Sequence, residues 1–210
     1  MKIGVLGAGS VGAALGKAWT KRGHEVMFGV RDVNASKVQT LLAEAGANAR
    51  AGTVSEAVTG ADAIALTLTW EAVPEVLKQI GDLSGKVLLD CTNPLVGNQL
   101  DASLDLGMSG GEQVAAWMPK ARVVKVFNTV GWETMENPRY GNEVATMFYA
   151  GDDLEAKQIA AGLAREIGFE PVDVGALSAS KFLESLAGLW GQLAYGQGMG
   201  RNIAWRLLKR

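Results

Sequence analysis

The chain has 210 residues, with 20 Lys and Arg against 22 Asp and Glu, for a formal net charge of −2. That leaves no cationic excess to neutralise phosphates, so nucleic-acid binding is not expected. One cysteine excludes an intrachain disulfide framework, and one cysteine with one histidine cannot assemble a standard zinc cluster. No apolar run approaches the ~20 residues that cross a bilayer. The expected product is a cytoplasmic, metal-free protein folded as a single domain over residues 1–210, with no membrane partner.

"KIGVL" is a short apolar run that stops at glycines, the signature of a buried parallel strand. "SVGAALGKAWTKRG" follows with apolar residues at helical spacing and Gly23 placed to end it. "EVMFGV" reads as the next strand, and "NASKVQTLLAEAG" as a helix with Asn34 at its cap. Thr53 stands three residues before Glu56, a capping-box spacing. "DAIALTL" and "KVLLDC" are further strands, with the helix "EAVPEVLKQIG" between them. "RVVKVF" continues the series, and an irregular stretch runs from Asn128 to Asn142. "EVATMFYAG" and "FEPVDVG" read as strands flanking the helix "DDLEAKQIAAGLAREIG". The chain then reads as helical to Arg210, broken around "YGQGMGRN". Strands alternating with helices predict an α/β, doubly wound Rossmann fold, mainly parallel. Later strands and helices extend its sheet, and a helical segment of about 176–210 serves an acceptor pocket or a dimer seam.

The first strand opens into "GAGSVG". Gly7 permits the tight turn, Gly9 removes a side chain where a pyrophosphate approaches, and Gly12 lets helix and strand pack closely. The helix start offers N–H groups and a partial positive charge to the phosphates. With a second strand at the right distance, this context points to a dinucleotide. Which one turns on register. If the second strand begins at Glu25, it ends at Gly29 or Val30, and neither is acidic. Arg31 then falls where a planar fork of donors reaches a ribose 2′-phosphate, which favours NADP over NAD. Asp32 takes a role near the next helix.

His24 lies in a turn, and none of Tyr140, Tyr149 or Tyr195 is followed by a Lys four residues on. No side chain is therefore marked as a proton donor, and no catalytic side chain is expected. Hydride transfer between two rings needs positioning more than a dedicated acid.

In "GAGSVGAALGKAW", "RGHEVMFGVRD", "LTLTWEAV", "VFNTVG", "AGDDLEAK" and above all "REIGFEPVDVGALSASKFLESLAGL" leading to "GMG", the chain resembles the NADPH-dependent reductases of coenzyme F420. It is more loosely similar to the reductase domain of the STEAP metalloreductases. The resemblance covers essentially the whole chain. It implies NADP(H) as cofactor and hydride transfer to a small-molecule acceptor: the deazaflavin F420, FMN or FAD. By position it implies that Ser10 and Val11 line the pyrophosphate beside Gly7, Gly9 and Gly12, and that Arg31 meets the 2′-phosphate. Leu68 and Thr69 would flank the adenosine side and the nicotinamide ribose. Asn93, Pro94, Asn128 and Val130 would approach the nicotinamide, and Met199 and Leu207 the acceptor ring. One arginine stands here where the family has two, Thr69 replaces a proline, and Asn128 replaces a histidine of archaeal members. A homodimer is expected, because related reductases commonly pair. Reduction of a small C=N or C=O substrate, or a non-catalytic NADP(H)-binding or redox-sensing module, are the alternatives.

Overall fold

The computed structural model describes residues 1–96, 99–100 and 107–210. Its strands are β1 (Lys2–Leu6), β2 (Glu25–Gly29), β3 (Ala49–Gly52), β4 (Ala63–Leu66), β5 (Val87–Asp90), β6 (Leu95–Val96), β7 (Gln99–Leu100), β8 (Arg122–Lys125), β9 (Arg139–Tyr140), β10 (Glu143–Val144), β11 (Thr146–Gly151) and β12 (Glu170–Asp173). Its α-helices are α1 (Ser10–Thr20), α2 (Ser36–Ala45), α3 (Val54–Val58), α4 (Val73–Ile80), α5 (Gly110–Trp117), α6 (Trp132–Glu136), α7 (Leu154–Glu166) and α8 (Ser180–Gly191).

Eight strands form one sheet in the order β12-β11-β8-β5-β4-β1-β2-β3. From β3 to β8 every pairing is parallel. β11 then runs antiparallel to β8, with Ala150 opposite Lys125, and β12 runs parallel to β11. Alternate residues face opposite helical layers. Val5, Phe28 and Val124 pack against α1, α2 and α7, whereas Leu6, Ile64 and Leu88 pack against α3, α4 and α5. Both faces are covered, which is why the central strands read as unbroken apolar runs. Strand order reverses between β1 and β4, the position at which open α/β sheets bind ligands beyond the carboxyl ends of their strands.

The Rossmann expectation holds, and so does the Thr53–Glu56 capping box, whose two reciprocal hydrogen bonds are both present. Four details differ. β3 has the sequence Ala-Arg-Ala-Gly, too weak to read as a strand, and is ordered by pairing with β2. Ala35 rather than Asn34 precedes α2. The stretch expected to be irregular holds α6 and β9, which pairs with β10 just beyond it. Helix ends at Gly196, after one wide turn over Gln192–Gly196, so residues 197–210 are not helical. Gly198 and Gly200 take φ of +68° and +77°, in the left-handed region that ends helices. The following segment bonds to the sheet instead: the Thr146 amide donates to the Trp205 carbonyl and the Leu207 amide to Thr146 Oγ1.

Candidate active site

The glycine turn is built for a close approach. Gly7 takes φ +108°, and a Cβ there would lie 3.1 Å from Leu68 and 3.2 Å from the Thr67 carbonyl. Gly12 is tighter still, since a Cβ would lie 2.2 Å from the Gly7 carbonyl. Thr67 Oγ1 donates to the Leu6 carbonyl at 2.8 Å, joining the ends of β1 and β4. Gly9 differs from both: a Cβ there meets nothing within 4 Å. It caps α1 with no side-chain hydrogen bond, and the first turn carries no acidic residue. The helix therefore presents backbone donors and its positive end to open space, with Ser10 exposed and Val11 half-buried beside them. These residues fit the pyrophosphate of a dinucleotide.

β2 ends at Gly29, and the Val30 amide is used by the Gly52 carbonyl at 2.9 Å. Asp32 Oδ1 accepts the Asn34 amide at 2.9 Å, forming a turn that leads into α2. Arg31 is exposed at the strand end and has no side-chain hydrogen bond or ion pair among the described residues. The carboxylate beside it is thus occupied locally, and the guanidinium is available.

The ends of β4, β5 and β8 lie on the other side of the strand-order reversal. Leu68 is half-buried, and exposed Thr69 precedes a single 3-10 turn. Asn93 Nδ2 donates to the Asn128 carbonyl, and Asn128 Nδ2 donates to Asn93 Oδ1, both at 3.0 Å. This reciprocal pair locks the Thr-Asn-Pro loop after β5 to the Asn-Thr-Val-Gly loop after β8. Phe127, just before Asn128, takes φ +63°, a strained conformation for an aromatic residue that the surrounding packing enforces. Pro94 and Val130 are buried. Gly7, Gly9, Ser10, Val11, Gly12, Leu68, Thr69, Asn93, Pro94, Asn128 and Val130 thus lie at the carboxyl ends of β1, β4, β5 and β8, and Arg31 at that of β2. Met199 and Leu207 belong to a different element, the segment after α8, and both are exposed.

Beneath these loops lies a feature that sequence reasoning missed. Lys125 Nζ is 3.0 Å from Asp90 Oδ2 and 2.9 Å from Glu184 Oε1, with Lys125 and Asp90 wholly excluded from solvent. Asp90 Oδ1 also accepts the Thr92 amide and hydroxyl, which shapes the start of the Thr-Asn-Pro loop. Glu184 accepts the Gly110 and Gly111 amides at the start of α5, each at 3.0 Å. Burial works against the Lys125 ammonium, but the two carboxylates outweigh it and hold its pKa above the ordinary lysine value. The available signal was a lysine inside the apolar run "RVVKVF" and an aspartate closing "KVLLDC".

The remaining candidate nucleophile and base are inert. Cys91 is buried, and burial, with Asp90 beside it, pushes the thiol well above its ordinary pKa. His24 precedes β2, at the opposite end of the strands from the glycine turn, with Nε2 2.6 Å from Glu166.

Residues 2–94 match the sequence model of the family described as NADP oxidoreductase, coenzyme F420-dependent. This part of the chain is similar to that family. The F420-dependent oxidoreductase match takes in the glycine turn, Arg31 and the Asn-Pro loop, whereas Asn128, Val130 and the segment after α8 lie beyond it. The rat metalloreductase STEAP3 is 30% identical over 186 residues, 88% of this chain and 36% of that protein. Mouse STEAP2 is 31% identical over 105 residues, 50% of this chain and 20% of that protein. The chain therefore spans about a third or less of the curated relatives it matches. A protein from Arthrobacter sp. FB24, described as a candidate F420-dependent NADP-reductase, superposes with a TM-score of 0.90 at 28% identity over 100% of both chains. An Aspergillus terreus reductive aminase solved with NADPH and ethyl levulinate superposes at 0.68 and 22% identity, covering 94% of this chain and 62% of its own, a likeness of fold alone.

Proposed function

We propose that this chain is an NADP(H)-dependent oxidoreductase that passes hydride between the nicotinamide and the planar ring of a deazaflavin (coenzyme F420) or a flavin. The observation that carries the reading is the cluster of loops at the carboxyl ends of β1, β4, β5 and β8, around the strand-order reversal. Backbone donors and an open Gly9 stand on one side of it, paired amides on the other, and among the described residues neither Cys91 nor His24 stands ready to move a proton. Bound there, NADPH supplies the hydride. The start of α1, from Gly7 to Gly12, would hold the pyrophosphate, and Leu68 and Thr69 the nearer ribose. Asn93, Pro94, Asn128 and Val130 would orient the nicotinamide, and Met199 and Leu207 would border the acceptor. With Cys91 held as a thiol and His24 remote, the chain contributes position and exclusion of water rather than acid–base chemistry.

The test is NADPH oxidation by the purified protein with F420, FMN or FAD as the acceptor. One of the three should be reduced, and His24→Ala and Cys91→Ala should keep turnover within a few-fold. A loss of about a thousandfold in either variant, with NADPH still bound, would point instead to a carbonyl or imine reductase. NADPH binding with no turnover on any ring would leave a non-catalytic module.

Cofactor choice has its own test. A charged hydrogen bond contributes about 1.5–3 kcal/mol, so Arg31→Ala should weaken NADPH about 10- to 100-fold and leave NADH nearly unchanged. Equal affinity of the wild type for both nucleotides, measured by titration, would remove Arg31 from the site.

A further inference from the structure

The segment after α8 is held at three points, by the loop that follows β8, by α8 and by α6. Trp205 Nε1 donates to the Thr129 carbonyl at 3.0 Å. Trp190 Nε1 donates to the Ile203 carbonyl at 2.8 Å. Arg201 Nε lies 2.5 Å from Glu133 Oε1, in the first turn of α6. The Arg201 guanidinium also lies over two rings, 5.5 Å from the centroid of Trp190 and 5.7 Å from that of Tyr195, and it donates to the Tyr195 hydroxyl. The two rings meet edge to face at 5.9 Å. Gly131 completes the junction, since a Cβ there would lie 2.9 Å from the Trp190 ring and 2.7 Å from Glu133 Oε2. Burial disfavours the Glu133 carboxylate, yet Arg201 holds its pKa below the ordinary value, so the pair is ionised at neutral pH.

The segment's tip is Gly198-Met199-Gly200, two left-handed glycines around a methionine that is 61% exposed. Its amides at Met199 and Gly200 bond back to Leu193 and Ala194. The tip therefore has a definite conformation but little packing of its own. The residue that follows it, Arg201, carries the clamp to Glu133, Trp190 and Tyr195.

We propose that Arg201 is a positioning residue of the acceptor site: clamped by Glu133, Trp190 and Tyr195, it holds residues 197–205 as a wall beside Val130 and Gly131, with Met199 presented to the acceptor ring. This rests on the hydride-transfer reading above. The guanidinium, engaged with Glu133, Trp190 and Tyr195, acts through the segment it anchors. A thioether at the tip suits a planar, polarisable ring of varied outline.

The test uses the full chain loaded with NADP+, titrated with oxidised F420, FMN and FAD. In Arg201→Ala, affinity for the ring that the wild type binds most tightly should fall at least about tenfold, with NADP+ affinity within twofold. Arg201→Lys should recover part of the loss, because an ammonium can pair with Glu133 but cannot stack as a planar fork between two rings. Amide hydrogen exchange should quicken over residues 197–205 in Arg201→Ala and stay unchanged in β1, β4 and β5, which excludes general unfolding. Unchanged ring affinity, unchanged exchange over 197–205, a parallel loss of NADP+ or no ring bound by the wild type would each overturn the role. Rings bound without hydride transfer would overturn the functional reading and leave the role of Arg201 standing.

Discussion

Gly9→Val should abolish dinucleotide binding while the chain stays folded. Gly9 has φ −76° and ψ −175°, extended backbone that valine adopts without strain. The space its side chain would enter is empty, with no atom within 4 Å of a Cβ. The side chain would therefore enter the volume that a pyrophosphate needs, from a Cβ position that no other atom crowds. The loss of a good helix cap costs about 1 kcal/mol at most, so the melting temperature should drop by no more than about 4 °C. Affinity for NADPH should fall by at least about 100-fold, or about 2.7 kcal/mol. Titration and a thermal scan of the same preparation read both quantities, and normal NADPH binding by the folded variant would put the phosphates elsewhere. Gly12→Val is the contrasting control. Its Cβ would lie 2.2 Å from the Gly7 carbonyl, so the turn itself must open and stability falls with binding.

Lys125→Met should produce the largest loss of stability. The thioether side chain matches the lysine stem in volume but leaves Asp90 and Glu184 buried without their shared cation. Removing one partner of a buried ionic group costs about 3–5 kcal/mol, which for a chain of this size lowers the melting temperature by about 6–20 °C. Both carboxylates keep their backbone donors, so the variant should still fold at low temperature. The pH dependence follows from the raised pKa of Lys125. Its contribution is complete below 10.5, the ordinary lysine value, and is lost only as pH rises through the higher value of the folded state. The gap between wild type and variant should therefore stay level near neutrality and narrow only in strong alkali. A scan at pH 7 showing less than about 1 kcal/mol between them would mean that the triad contributes little to folding.

The sheet and the glycine turn were legible in the chain because their causes are local. Apolar runs of four or five residues between glycines specify strands buried on both faces, and a backbone angle of +108° at residue 7 demands glycine whatever surrounds it. The place of Arg31 was equally readable, because it depends only on where β2 stops. The rest depends on partners distant in sequence. Lys125 is 35 residues from Asp90 and Asn128 is 35 from Asn93, so no window of sequence contains either pair. β3 is a strand only because β2 lies beside it. The final segment, with Ile203, Leu207 and Leu208 at helical spacing, has the pattern of a helix and does not form one. Two left-handed glycines end the helix before it, and hydrogen bonds to Thr146 and Thr129 take its backbone to the start of β11 and its tryptophan to the loop after β8. The amino-acid sequence by itself determined the glycine-turn half of the candidate site, whose conformation follows from neighbouring residues. Only the tertiary structure decided the other half, where a buried cation, a pair of amides and the ion pair of Arg201 with Glu133 acquire their partners when the strands come together.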